Sequence, residues 1–169
     1  MMRRVPFEIV QDTREQTPLV FDGVPVRRAA LRTGDYSITG YEDEFTVERK
    51  SLEDLVSTVI HDRQRFIREL ERMRSFRFKR LLVVAPYEAV SGGWGDYPFS
   101  LANPKAVLAS VRAFEVRYDL PVTFARNSRE AAQVVVEWAR YYARERAIED
   151  EEDAELYALF GDCHAKACA

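Results

Sequence analysis

Asp35, Glu48 and Lys50 are the residues of this 169-residue chain whose types and spacing could do chemistry together. They fall within residues 33–54, T-G-D-Y-S-I-T-G-Y-E-D-E-F-T-V-E-R-K-S-L-E-D. Two carboxylates held close repel each other, and both stay ionised most easily with a cation between them. Carboxylate oxygens are the preferred ligands of Mg2+, which takes one or two of them and completes its shell with water and substrate phosphate. Such a metal acidifies a bound water and neutralises charge on a phosphate. A neighbouring lysine can orient that water or stabilise the transition state. The chemistry to expect is phosphodiester hydrolysis. A solvated hairpin with ordinary cross-strand ion pairs uses the same residues, and spacing alone does not choose between the two.

The elements that must position the trio are a hairpin and the helix behind it. Tyr36 and Ile38 alternate in one strand, Phe45 and Val47 in the next, and Gly40 with Glu42, Asp43 and Glu44 makes a polar turn between them. Side chains alternate along a strand, so Glu48 and Lys50 share a face and Arg49 points the other way. Asp35 starts the partner strand, where pairing brings it beside Glu48. Ser51-Leu52-Glu53-Asp54 fits a capping box at a helix start, which gives Asp54 a mainly structural role with a secondary part in the site.

Composition narrows the class. Hydrophobic residues make up 47% and charged residues 31% of the chain, which describes a soluble globular domain with a single core. The longest aliphatic run, residues 81–85, is too short to span a bilayer, and no secretory signal precedes residue 8, so a cytoplasmic protein is expected, nucleoid-associated in a prokaryote. Net charge is −3 but unevenly placed: residues 1–80 carry 16 basic and 14 acidic groups, the remainder 9 and 14. Residues 61–80 alone hold 8 Arg and Lys against 3 Asp and Glu. This basic segment, directly after the acidic cluster, would attract a DNA backbone. It also reads as a solvated amphipathic helix with the pairs Arg65/Glu69 and Arg68/Glu71.

Taken in order, residues 5–10 predict a first strand that ends in Asp12-Thr13-Arg14-Glu15, near where α/β sheets place ligands. Residues 26–31 predict a second strand. After the hairpin, Leu55, Val56, Val59 and Ile60 make the apolar face of a short helix. His61 is a turn residue, and a second helix to about residue 74 turns Phe66, Ile67, Leu70 and Met73 inward and Arg63, Arg65, Arg68 and Arg72 outward. Residues 80–85 predict a buried central strand. Residues 91–100 form a Gly- and aromatic-rich loop that could stack on bases or pack on the domain. Asn103-Pro104 starts a helix carrying Val107, Leu108, Val111, Phe114 and Val116. Residues 121–125 predict a short strand. Asn127 or Ser128 caps a last helix to about residue 146 with a broad apolar face of Ala131, Val134, Val135, Trp138, Ala139 and Tyr142, widened by Val136 and Tyr141. A partner subunit could cover the excess. Residues 145–155 hold seven acidic groups, a helical or frayed stretch within a C-terminal tail, 147–169. Cys163, His164 and Cys168 make a weak metal set, and two cysteines give no disulfide framework.

Taken together, these motifs resemble the XPF-type, Hef-like structure-specific nuclease domain. Its signature G-D, spacer, E-R-K-x3-D stands here as Gly34-Asp35, twelve residues, then Glu48-Arg49-Lys50 and Asp54, and its upstream D-x-R-E as Asp12-Thr13-Arg14-Glu15. Its Gly-Arg pair is matched by Asp62-Arg63, with the Gly lost. The resemblance covers about residues 7–139 and implies a nuclease domain over residues 1–146. The fold it implies is α/β, a restriction-endonuclease-like core with a central mixed sheet flanked by helices. The implied activity is Mg2+- or Mn2+-dependent endonucleolytic cleavage of branched or flap DNA. By match, Asp35, Glu48 and Glu15 are metal ligands, Lys50 is the catalytic lysine, and Asp54 is a further acidic member. Asp12, Arg49 and Arg63 support the site or contact phosphate. Arg14, Arg63, Arg65 and Arg68 are the expected DNA contacts. The resemblance also implies a homodimer or heterodimer through the C-terminal helices. A tandem helix-hairpin-helix domain has no room after residue 146, which implies a stand-alone nuclease or one that borrows a partner's DNA grip. Two rivals stay open: a non-catalytic binding partner of an active nuclease, and a sequence-specific restriction-type enzyme.

Overall fold

The computed structural model describes residues 4–94 and 102–160. Strands β1 (Ile9–Asp12), β2 (Val26–Ala29), β3 (Tyr36–Ile38), β4 (Phe45–Ser51), β5 (Phe78–Val84) and β6 (Val122–Ala125) form one mixed sheet in the order β2-β1-β3-β4-β5-β6. β3 runs antiparallel to both β1 and β4, and the β1–β2, β4–β5 and β5–β6 pairs are parallel. Helices α1 (Leu52–Ile60), α2 (Arg63–Met73), the short α3 (Glu88–Ser91) and α4 (Pro104–Tyr118) share a core on one face. The 33-residue α5 (Ser128–Phe160) covers the other. This is the expected central mixed sheet flanked by helices.

Period-two alternation sorts β4 between the two layers. Phe45 and Val47 enter the α5 core, where Phe45 stacks on Phe78 at 4.4 Å. Glu48 and Lys50 face the α1–α2 side. The hairpin, the capped α1, α2 and the Asn103-Pro104 start of α4 stand where the sequence put them. The last helix is capped by Asn127, whose side-chain oxygen accepts from Glu130 N–H at 2.9 Å.

Several boundaries differ for physical reasons. β1 begins at Ile9 instead of residue 5, because Ile9–Asp12 is the segment paired on both sides and buried throughout, polar Gln11 and Asp12 included. β2 stops at Ala29, short of Leu31, whose backbone N–H is taken by the Asp12 carboxylate at 2.7 Å. β5 starts at Phe78, in register with Phe45. α5 continues past residue 146 to Phe160; Arg146 bridges Glu149 and Asp150 along the helix, and Arg77, just before β5, pairs with Glu149.

Three apolar residues are placed otherwise than expected: Ile60, Val116 and Tyr141 are exposed. Of the two readings of the Gly- and aromatic-rich loop, Trp94 follows the one in which its aromatics pack on the domain: it is buried, with its indole N–H donating to Ala102 O at 2.8 Å. The rest of that loop, residues 95–101, and the Cys163, His164 and Cys168 set lie outside the described residues.

Candidate active site

The central trio is built by strand register. Tyr36 pairs with Val47, which sets Asp35 opposite Glu48. Gly34 makes this possible: its φ is +78°, and a Cβ there would meet Thr46 Oγ1 at 2.1 Å. Only glycine fits both the left-handed backbone and that close approach. Asp35 N–H then donates to Val47 O at 2.8 Å, and Asp35 Oδ2 accepts from Arg49 N–H at 2.7 Å. Lys50 Nζ lies 3.1 Å from Glu48 Oε1 and 4.6 Å from the centre of the Phe66 ring on α2.

These side chains line a cleft of about 330 Å3 between the sheet and helices α1 and α2. Asp12, Gly34, Asp35, Glu48 and Lys50 form its sheet wall. Asp54, Ser57, Thr58 and Asp62 line it from α1 and the α1–α2 junction, and Arg65, Phe66, Glu69 and Arg72 from α2. Positions 65, 69 and 72 share one stripe of α2, as helical spacing requires. Arg14 and Arg32 add two more cations.

Burial and like charge dominate the electrostatics. Burial raises Asp35 to about 7; the hydrogen bond from Arg49 N–H and the charge of Lys50 oppose this, while the charges of Glu15 and Glu69 add to it. Glu48, 6% exposed, is held well above the usual carboxylate range by burial first, then by Asp35 and Glu69, against the pull of Lys50. A half-buried and a buried carboxylate that disfavour each other's ionisation are an oxygen-donor set that suits a hard divalent cation. On that chemistry the residues present fit Mg2+ or Mn2+, with water and phosphate filling the other positions.

The D-x-R-E element serves the scaffold. Burial would raise the Asp12 carboxyl, but hydrogen bonds from the Arg14 side chain and from the Leu31 and Arg14 N–H groups outweigh it and lower it. Arg14 also donates to Leu31 O at 2.7 Å, so the Asp12–Arg14 pair fastens the end of β1 to the segment leading into Gly34. Glu15 lies behind the sheet. Its oxygens accept from Arg49 Nε at 3.0 Å and from another guanidinium nitrogen at 2.9 Å, from Thr17 N–H at 2.9 Å, and from Tyr36 OH at 3.4 Å. Burial would raise it, and these bonds, led by Arg49, leave it lowered. The expected third metal ligand is therefore occupied elsewhere, pinning Arg49 on the face opposite Glu48 and Lys50. Among the described residues, no three His, Cys, Asp or Glu side chains gather closely enough to hold a metal between them.

Asp54 has the capping role expected of it and stands at the cleft. It completes the capping box with Ser51 and lines the cleft. Of the expected DNA contacts, Arg65 lines the cleft and is exposed, and Arg14 is tied to Asp12 with its outer side chain open. Arg68 is exposed outside the cleft lining. Arg63 is turned away: it donates to Ser110 Oγ at 2.9 Å and sits over the Phe114 ring, joining α2 to α4. The Arg65/Glu69 and Arg68/Glu71 ion pairs do not form; Glu71 pairs with Arg74 instead. Sequence reasoning missed Glu69, Arg32 and Arg72 as cleft residues. The i, i+4, i+7 relation of 65, 69 and 72 was the available signal.

Comparisons with known proteins bear on the family and the fold. A family model described as the ERCC4 domain matches residues 8–137. The 3′-flap repair endonuclease Xpf of Saccharolobus solfataricus is 30% identical over 114 residues, 67% of this chain and 44% of that protein. A Methanocaldococcus jannaschii protein with the provisional name ATP-dependent RNA helicase MJ1505 is 26% identical over 136 residues, 79% of this chain and 15% of that protein. The chain thus spans less than half the length of the curated relatives it matches. The solved structure of XPF from Aeropyrum pernix superposes with a TM-score of 0.65 at 21% identity, covering 91% of this chain and 73% of that one. The same protein in complex with DNA gives 0.63 at 20% identity, covering 82% and 66%. The shared fold is the restriction-endonuclease-like core.

Proposed function

The chain belongs to the ERCC4 domain family, and on that premise we propose that it is a metal-dependent DNA endonuclease acting at branched or flap structures. The observation that carries the proposal is the juxtaposition of half-buried Asp35 and buried Glu48, with Lys50 between cleft and core, in a cavity rimmed by arginines. When bound, Mg2+ or Mn2+ supplies charge neutralisation at the scissile phosphate and a more acidic water. Asp35 and Glu48 hold that cation. Lys50, kept near Glu48 and braced on Phe66, presents a positive charge to the attacking water or to the developing phosphorane-like charge. Arg49 acts through its backbone, fixing Asp35, and through its pair with Glu15, fixing β4. Arg65, Arg72, Arg32 and Arg14 receive the DNA backbone.

Glu48→Gln or Lys50→Ala should abolish cleavage, seen as loss of product from end-labelled branched DNA, with unchanged far-UV circular dichroism. A variant that cuts at the wild-type rate contradicts the assignment. Tight branched-DNA binding without cutting in either metal would favour a non-catalytic partner of an active nuclease instead. Sequence-specific cutting of linear duplex would favour a restriction-type enzyme. Assembly through α5 is proposed on its exposed Tyr141 beside Trp138, and sedimentation of Tyr141→Glu against wild type tests it.

A further inference from the structure

Glu69 is a cleft carboxylate that no motif names and that no described residue engages by hydrogen bond or ion pair. It is half-buried on α2, one turn after Arg65 and just under one turn before Arg72, and both arginines share its stripe. Either spacing suits an intrahelical ion pair, yet neither pair forms. Its charge is felt by Asp35, Glu48 and Arg14 alike. Asp62, also on the cleft wall, is exposed.

A third negative charge beside two that already repel each other is costly unless a cation turns the repulsion into attraction. A second feature indicates a missing ligand: Thr33, 3% exposed, lines the same cleft with its buried hydroxyl oxygen lacking any hydrogen-bond partner among the described residues. Mg2+ keeps several of its waters when it binds protein, and those waters need acceptors around them.

We propose that Glu69 is a positioning residue for the divalent cation held by Asp35 and Glu48, accepting hydrogen bonds from the cation's water shell across the cleft. This rests on the metal-dependent reading above. Carboxylates in such an outer position change metal affinity by about tenfold to a hundredfold. In that role Glu69 would be the α2 contribution to a site otherwise held by Asp35, at the start of β3, and Glu48 of β4.

The test is calorimetric titration of Mn2+ into the full chain, wild type against Glu69→Gln and Glu48→Gln, with branched-DNA binding measured separately in EDTA. Glu69→Gln should weaken Mn2+ binding by about tenfold while leaving metal-free DNA binding equal or tighter, because a negative charge has left the cleft. These effects differ in sign or size, whereas a merely structural defect weakens both together. Mn2+ affinity of Glu69→Gln within about twofold of wild type, or parallel loss of metal and DNA binding, overturns the inference. If wild type binds no Mn2+, or Glu48→Gln binds it as tightly as wild type, the metal-dependent reading itself falls and takes this inference with it. If Glu48→Gln is defective and Glu69→Gln is not, only the role of Glu69 fails.

Discussion

Asp35 is an acid whose protonation is set by where the hairpin puts it. Its folded value of about 7 lies above the 3.8 of an unburied aspartate. Between those values the folded chain keeps a proton that the unfolded chain has released, so without metal the fold loses stability as pH rises through this window and the penalty is constant above it. Asp35→Asn should therefore stabilise the metal-free protein at pH 8 by on the order of 2 kcal/mol, since a tenfold change in proton affinity is worth about 1.4 kcal/mol and partial exposure screens the gain. Urea denaturation across pH checks this, and the gain should vanish as pH falls toward 4. Added Mn2+ should stabilise wild type at pH 8 and not the variant. Period-two alternation made Asp35, Glu48, Lys50 and the reversed Arg49 legible in the sequence. The occupation of Glu15 was not, because its partner lies 34 residues away on the far face of the sheet. Nor was the split between Arg63 and Arg65, because arginines on several sides of α2 hide the helical phase that decides which one meets the cleft.

Two local devices hold the hairpin and helix that carry the site. Gly34→Ala would require a left-handed alanine and a displaced Thr46, for a loss on the order of 3 kcal/mol by urea unfolding. Ser51→Ala removes the hydroxyl that accepts from Asp54 N–H and should cost about 1 kcal/mol while cleavage persists. If cleavage disappeared with that modest loss, the cap and the chemistry would be coupled more tightly than the structure implies. The elements themselves could be read from the sequence wherever turn and cap residues punctuate it: Gly40, Ser51 with Asp54, and Asn103-Pro104. β1 was misplaced because Gln11 and Asp12 look like loop residues until pairing on both sides and the Asp12–Arg14–Leu31 bonds satisfy them. α5 was cut short because a run of acids suggests fraying. The long-range bridge from Arg77 and the Arg146 bridges within the helix supply counter-charge that local sequence does not reveal.

At the scale of the molecule, the sheet divides labour. The α5 face is an aromatic core that fixes β4, and the α1–α2 face opens the cleft where acidic groups lie deep and arginines rim the mouth. Net charge does not reveal this, since the chain is acidic overall while Arg14, Arg32, Arg65 and Arg72 line the cleft. Arg65→Ala and Arg72→Ala should each weaken DNA binding and lower the slope of log affinity against log salt by about one, whereas Arg63→Ala should lower stability and leave that slope unchanged. Among the described residues no helix is long and apolar enough to cross a membrane. The central claim is that Asp35, Glu48 and Lys50 make a metal-dependent DNA-cutting centre. Its most direct test is cleavage of end-labelled duplex, 3′-flap, splayed-arm and single-stranded DNA in Mg2+, Mn2+ or EDTA, with Glu48→Gln alongside. The account predicts cutting biased to junctions, absent in EDTA and absent in Glu48→Gln. Cutting that survives EDTA or the Glu48 substitution would contradict it, as would binding of every branched substrate with no cutting in either metal.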